Sequence, residues 1–230
     1  MQQSTRLLAS TAAVLLIWQL PYGRQLLYPL TLLATYAHEL GHGLTAMLLG
    51  FEFDQLHLHA DGSGLAAWRG NPGMAATALI AAGGLIGPTI VGSVLLILSR
   101  SVRFGRALLA VLALLVAATV VLWVRNPFGI AFLLTASVGL ALAAKTLSDT
   151  ASSFLLHMIA VSLCLSWFSD LDYLFSEHAL VGGTRHPSDT AVMAEVLWLP
   201  YWFWGGVVAL ITCSVAVLGV GCASRSEKRK

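Results

Sequence analysis

The stretch Thr35-Tyr36-Ala37-His38-Glu39-Leu40-Gly41-His42 sets a His-Glu-x-x-His pattern inside a run, Leu26 to Gly50, in which Glu39 is the only formally charged residue. A helix of about 20 residues crosses the hydrocarbon core of a bilayer, so the run is long enough to span. An ionisable side chain near the bilayer centre costs roughly 2.5 to 3.5 kcal/mol even on the lenient insertion scale, which marks its position as a site. Chance would place such a pattern in a chain of this composition only about 0.005 times.

On a helix, positions i and i+4 lie about 40° apart around the axis, so His38 and His42 can present imidazole nitrogens to one metal. Glu39 lies beside them, placed to take the proton of a water that zinc would acidify from a pKa of about 15.7 towards 7. That is the chemistry of peptide-bond hydrolysis. The bland reading, two histidines bonding between helices beside a protonated Glu39, leaves the spacing and the lipid burial unexplained.

Apolar residues make up 57% of the 230 and charged residues only 10%, against about 25% charged in a soluble domain. Spanning stretches are read at Leu26 to Leu49, Met74 to Leu98, Ala107 to Val124, Pro127 to Ala144, Ala151 to Phe168 and Pro200 to Val220. Leu7 to Leu20 is a shorter seventh; no Ala-x-Ala-like cleavage site follows it, which favours a retained helix over a secretory signal. The expected fold is an all-α polytopic membrane protein of six to seven transmembrane helices, with a small β-hairpin after the motif helix. Residues 1 to 230 form one integral membrane domain.

The basic tail Arg225, Lys228, Arg229, Lys230 sets the C-terminus inside. Counting back through seven spans puts nine Lys and Arg inside and Arg6, Arg69, Arg125 and Arg185 outside. The expected location is a bacterial inner membrane with a cytoplasmic C-terminus, and the histidines lie nearer the outer face. The net charge of +2 is thus a topology signal without a basic stripe, so no nucleic-acid partner is expected. Cys164, Cys213 and Cys222 fall in or beside apolar spans with no Cys-x-x-Cys pair, as small buried hydrophobes do.

Phe51 to His59 partly alternates in polarity, Asp61-Gly62 follows, and Leu65 to Trp68 continues, which predicts a hairpin. An open sheet edge cannot face lipid, so it must lie in the interface or line a protein cavity. His57 and His59 share a strand face, but solvated loop histidines are the preferred reading because no third ligand of suitable spacing lies nearby. Gly83-x-x-x-Gly87 in the next span is a spacing that lets helix backbones approach closely; a cavity beside the metal is the sharper alternative. Trp198, Tyr201, Trp202, Phe203 and Trp204 read as an interfacial belt.

A catalytic zinc site needs a third protein ligand and one open position. Asp170, in Ser169-Asp170-Leu171-Asp172 at the outer end of the sixth span, is the first choice. Asp172 and Asp189 are alternatives and His157 a fourth. For Asp189, in Pro187-Ser188-Asp189-Thr190 ahead of an apolar run, a role in starting a helix is an equal reading. Asn126, near the start of a span, is a minor candidate for an oxyanion donor.

With these residues in view the chain resembles the site-2 protease family of intramembrane zinc metalloproteases, in its short branch without soluble accessory domains. The resemblance rests on His38-Glu39-Leu40-Gly41-His42-Gly43, the hairpin with Asp61-Gly62-Ser63-Gly64, the Gly-rich span and Ser169-Asp170, over residues 30 to 205. It implies zinc held by His38, His42 and a late Asp, with Glu39 activating water. It also implies a sheet edge that takes up an extended strand of a membrane-protein substrate. Longer members place the third ligand in Leu-Asp-Gly after Asn-Pro, whereas Asn126-Pro127-Phe128-Gly129 has no acid beside it. Two other functions fit parts of the pattern: a non-catalytic protein of the same fold that binds partner helices, and a metal or proton transporter using His38, Glu39, His42, His157 and Asp170. Substrate identity and oligomeric state are not legible in the chain.

Overall fold

A computed structural model describes residues 3–99, 101–169 and 171–225. Helices dominate, as they must where lipid offers backbone groups no partner. Helix α1 (Gln3–Gln19) leads into α2 (Gly23–Leu48), followed by strands β1 (Glu52–Leu58) and β2 (Gly64–Arg69). Then come α3 (Met74–Leu98), α4 (Gly105–Leu122), α5 (Pro127–Thr146) and α6 (Asp149–Ser169). A single turn, α7 (Leu171–Leu174), precedes β3 (His178–Val181), β4 (Thr184–Pro187), α8 (Asp189–Leu197) and α9 (Tyr201–Arg225).

Among the described residues, five helical stretches are long and apolar enough to cross a membrane: Met74–Leu98, Val102–Leu122, Pro127–Thr146, Asp149–Leu174 and Tyr201–Ser224. Leu7–Gln19 is apolar but shorter. The motif helix α2 is as long as the spans, at 26 residues, or about 39 Å. It falls outside the five because Arg24, His38, Glu39, His42 and its hydroxyl residues lower its hydropathy. The polytopic architecture therefore stands, with α2 carrying the polar residues inside it.

Helices α2 and α3 run antiparallel in close contact. A Cβ on Gly41 would lie 2.4 Å from the Gly83 carbonyl oxygen, and one on Gly87 3.3 Å from that of Ala37. The small-residue spacing in α3 is thus used for packing, as expected. Gly92 makes the same kind of approach to Ala160 and Cys164 of α6. Behind these contacts lies an apolar core including Leu95, Leu96, Leu109, Leu156 and Ala160.

The predicted hairpin is present, with Leu56 opposite Ala66 and Leu58 opposite Gly64. It folds back along α2: the Tyr28 hydroxyl donates to the Ala60 carbonyl at 2.7 Å and the Thr35 hydroxyl to that of Gly62 at 2.8 Å. Asp61 closes the turn by accepting from the Ser63 amide and hydroxyl, and that hydroxyl first of all holds its carboxyl below the usual carboxylate range. The inner face, Phe53, Leu56, Leu58 and Ala66, packs with Tyr36, Val116, Val120 and Leu133.

The second edge of β1 is also occupied. The Leu56 amide donates to the Trp123 carbonyl at 2.8 Å, and the Arg125 amide to that of Leu56 at 3.2 Å. The Asn126 side chain accepts from the Leu58 amide and donates to its carbonyl. Asn126, which the sequence offers as a minor oxyanion candidate, is thus tied to the β1 backbone through both ends of its amide. The reading of His57 as a solvated loop residue is corrected, since it is half-buried on β1; His59, also half-buried, follows the end of the strand. The His57 Nε2 is shut away with no hydrogen-bond partner among the described residues.

A second hairpin, β3–β4, was not expected. Gly182 and Gly183 form its two-residue turn with φ of 55° and 81°, the left-handed conformations that such a turn requires. Its tip meets the first hairpin, where the Gly182 amide donates to the Ser63 hydroxyl at 3.0 Å.

Candidate metal centre

Helix α2 carries His38 and His42 one turn apart on the same face. Their Nε2 atoms lie 3.0 Å from one another. Asp189 reaches them from α8, with Oδ2 3.1 Å from the His38 Nε2 and Oδ1 3.4 Å from the His42 Nε2. Three donors held at about 2.0–2.1 Å from one ion in tetrahedral array lie roughly 3.3 Å apart. The observed triangle has that size, so these residues fit a single zinc. Among the described residues this is the one group of His, Cys, Asp and Glu whose ligand atoms converge in this way, all within 4.8 Å.

The surroundings orient these residues. The His42 Nδ1 lies 2.8 Å from the Ile80 carbonyl of α3 and so carries a proton, which makes Nε2 the nitrogen turned towards Asp189. Gly84 lies against the same ring and leaves no room for a side chain. Trp68 of β2 packs on its other flank, ring centroids 6.3 Å apart. Asp189 is delivered by the start of α8, where the Ser188 hydroxyl accepts from the Ala191 amide at 3.1 Å. Ser188 is thus the cap, and the Asp189 carboxylate is free to turn into the site. Burial works to raise the Asp189 carboxyl; His42 and His38 beside it outweigh this and hold it well below the usual carboxylate range.

Glu39 is buried, 6% exposed, and accepts a hydrogen bond from the Ala66 amide. Because Leu56, opposite Ala66, turns its amide and carbonyl towards 123–125, the Ala66 amide lies on the outer edge of β2. The carboxylate therefore rests against a strand edge that no other strand among the described residues occupies. Gly64 lies so near that a Cβ there would come within 2.7 Å of the Glu39 Oε1.

The other sequence candidates fare differently. Asp170 lies outside the described residues. Asp172 is exposed and lines a cavity of about 410 Å³ between α1, α2 and α6, with Arg24, Thr31 and Ser166. His157 is fully buried in α6, where its Nδ1 lies 2.6 Å from the Ser153 carbonyl one turn back. Tyr173, absent from the sequence reading, donates from its hydroxyl to the Asp189 Oδ2 at 2.9 Å. Nothing in Leu171-Asp172-Tyr173-Leu174 announces that contact.

No curated protein and no solved structure matches the chain. A family model does, over residues 7–219, wider than the 30 to 205 that the motifs suggested. On that match over nearly its whole length, the chain belongs to the Peptidase M50B-like family, within the site-2 protease family.

Proposed function

We propose that this integral membrane protein is a zinc metallopeptidase that hydrolyses a peptide bond in or near a transmembrane segment of another membrane protein. The observation that carries the proposal is the triangle of His38, His42 and Asp189 with the Glu39 carboxylate beside it. In this reading the two imidazoles and the Asp189 carboxylate hold zinc, which supplies Lewis acidity to a water and to the scissile carbonyl. Glu39, steadied by the Ala66 amide, takes the water's proton as the water oxygen attacks the carbonyl carbon. It then returns that proton to the departing amine nitrogen as the carbon–nitrogen bond breaks.

A helical substrate hides its carbonyls in its own hydrogen bonds, so it must be extended before it can react. The outer edge of β2, on which no strand among the described residues pairs, runs past Glu39 and can take up such a strand, re-satisfying backbone groups that lipid would leave bare. The basic C-terminal tail, with Arg225, Lys228, Arg229 and Lys230, is assigned to the cytoplasm. The hairpins, α7 and α8 then lie towards the opposite face.

The non-catalytic alternative drew on a missing third ligand, and Asp189 between both imidazoles weighs against it. The transport alternative needs His157 in a relay, and the bond of that ring to Ser153 weighs against that. The test is a co-expression assay with tagged single-span membrane proteins. Glu39→Gln is expected to keep its zinc and lose cleavage; cleavage unchanged in that variant would sink the proposal.

A further inference from the structure

Helix α7 is only one turn long, yet it and the residues that follow it are fastened to the start of α8 at several points. The Thr190 hydroxyl donates to the Leu174 carbonyl at 3.1 Å, the Ser188 amide to that of Glu177 at 3.0 Å, and the Ser188 hydroxyl to that of Ser176. Within this frame the Tyr173 hydroxyl does two things to one residue. It donates to the Asp189 Oδ2 at 2.9 Å and accepts from the Asp189 backbone amide at 3.2 Å. The same ring stands edge-on to His38, with centroids 6.0 Å apart and planes at 79°.

We infer that Tyr173 is a positioning residue of the metal centre, setting the rotation of the Asp189 carboxylate and the plane of His38 together. An aspartate at the start of a helix has two free torsions and an amide with no partner inside the helix. A phenol bonded to both the amide and the carboxylate of that residue closes a ring through it, so neither torsion can relax without breaking a hydrogen bond. Oδ2 is the oxygen that also faces the His38 Nε2 at 3.1 Å, so the hydroxyl fixes the ligand atom itself. Groups that orient a ligand from behind typically carry 10- to 100-fold in metal affinity. A merely structural tyrosine, stapling α7 to α8, would instead change unfolding and leave affinity alone.

This inference rests on the proposed zinc site, and zinc affinity separates the two. The detergent-purified full chain is titrated with zinc against a chromophoric chelator, as wild type, Tyr173→Phe, Tyr28→Phe and Asp189→Asn. Tyr28→Phe is the control, since its hydroxyl also donates to a backbone group, the Ala60 carbonyl, away from the site. Tyr173→Phe is expected to weaken zinc binding about 10- to 100-fold, with Tyr28→Phe unchanged and Asp189→Asn weakest. In the cobalt-loaded protein, the visible bands of Tyr173→Phe are expected to shift at saturation. Wild-type affinity and spectrum in Tyr173→Phe, with zinc lost in Asp189→Asn, would overturn the inference and leave the metal site standing. A wild type that binds no zinc would overturn both.

Discussion

Gly84 of α3 lies against His42 of α2 so closely that a Cβ on it would sit 2.2 Å from the ring Nε2, the atom that faces Asp189. Real Cβ atoms do not approach so near, so either the ring or the helix must move. The ring is also tied to α3 by the bond of its Nδ1 to the Ile80 carbonyl. Gly84→Ala is therefore expected to swing the His42 Nε2 out of the triangle. Metal content by plasma mass spectrometry should fall well below one zinc per chain, at an overpacking cost of about 1–3 kcal/mol. Full zinc in Gly84→Ala would show that the ring is not fixed as described.

The same geometry at Gly64 acts on a different group. A Cβ there would lie 2.5 Å from the Glu39 Cγ and 2.7 Å from its Oε1, and the three atoms nearest to it all belong to Glu39. Gly64→Ala is expected to keep zinc and lower peptide hydrolysis by about 100-fold or more, the scale of a displaced general base. Metal content and cleavage measured on one preparation give the answer. Joint loss of both would mean that the strand, rather than the carboxylate, had moved.

The third ligand separates the candidates directly. Asp189→Asn is expected to lose zinc, because its carboxylate lies 3.1 and 3.4 Å from the two imidazole nitrogens. Asp172→Asn, on the wall of the cavity between α1, α2 and α6, is expected to keep it. Asp170→Asn is the decisive companion, and zinc lost there but retained in Asp189→Asn would move the assignment back to the end of α6.

How far the sequence reaches follows from the range of each interaction. His38, Glu39 and His42 are legible because their geometry is a property of one helix, and the first hairpin because Asp61-Gly62 and flanking alternation are local signals. Gly83 and Gly87 are legible as a packing stripe for the same reason. Asp189 was only one acid among several, since its place depends on how a nine-residue helix far along the chain folds back. Its neighbour Ser188 takes the helix-capping role that the sequence reading had weighed for Asp189. Asn126 looked free because its partner, Leu58, lies on a strand 68 positions away. The β3–β4 hairpin was within reach, for Gly182-Gly183 between Leu180-Val181 and Thr184 is a two-residue turn signal that an apolar chain made easy to pass over.

His57 gives a dependence on pH that lies outside the metal site. Burial pushes its imidazole below the ordinary value of 6.5, and the neighbouring His59, with ring centroids 6.4 Å apart, adds to the shift. A histidine with a depressed folded value takes up its proton first in the unfolded chain. The folded state therefore has its full share of stability above pH 6.5 and loses it as pH falls from there towards the folded value. His57→Gln removes that loss. Thermal unfolding of wild type and variant at matched pH should show the variant gaining on wild type as pH is lowered from 7.5 to about 5.5. Parallel curves across that window would mean that the buried Nε2 takes its proton as readily as a solvated histidine does.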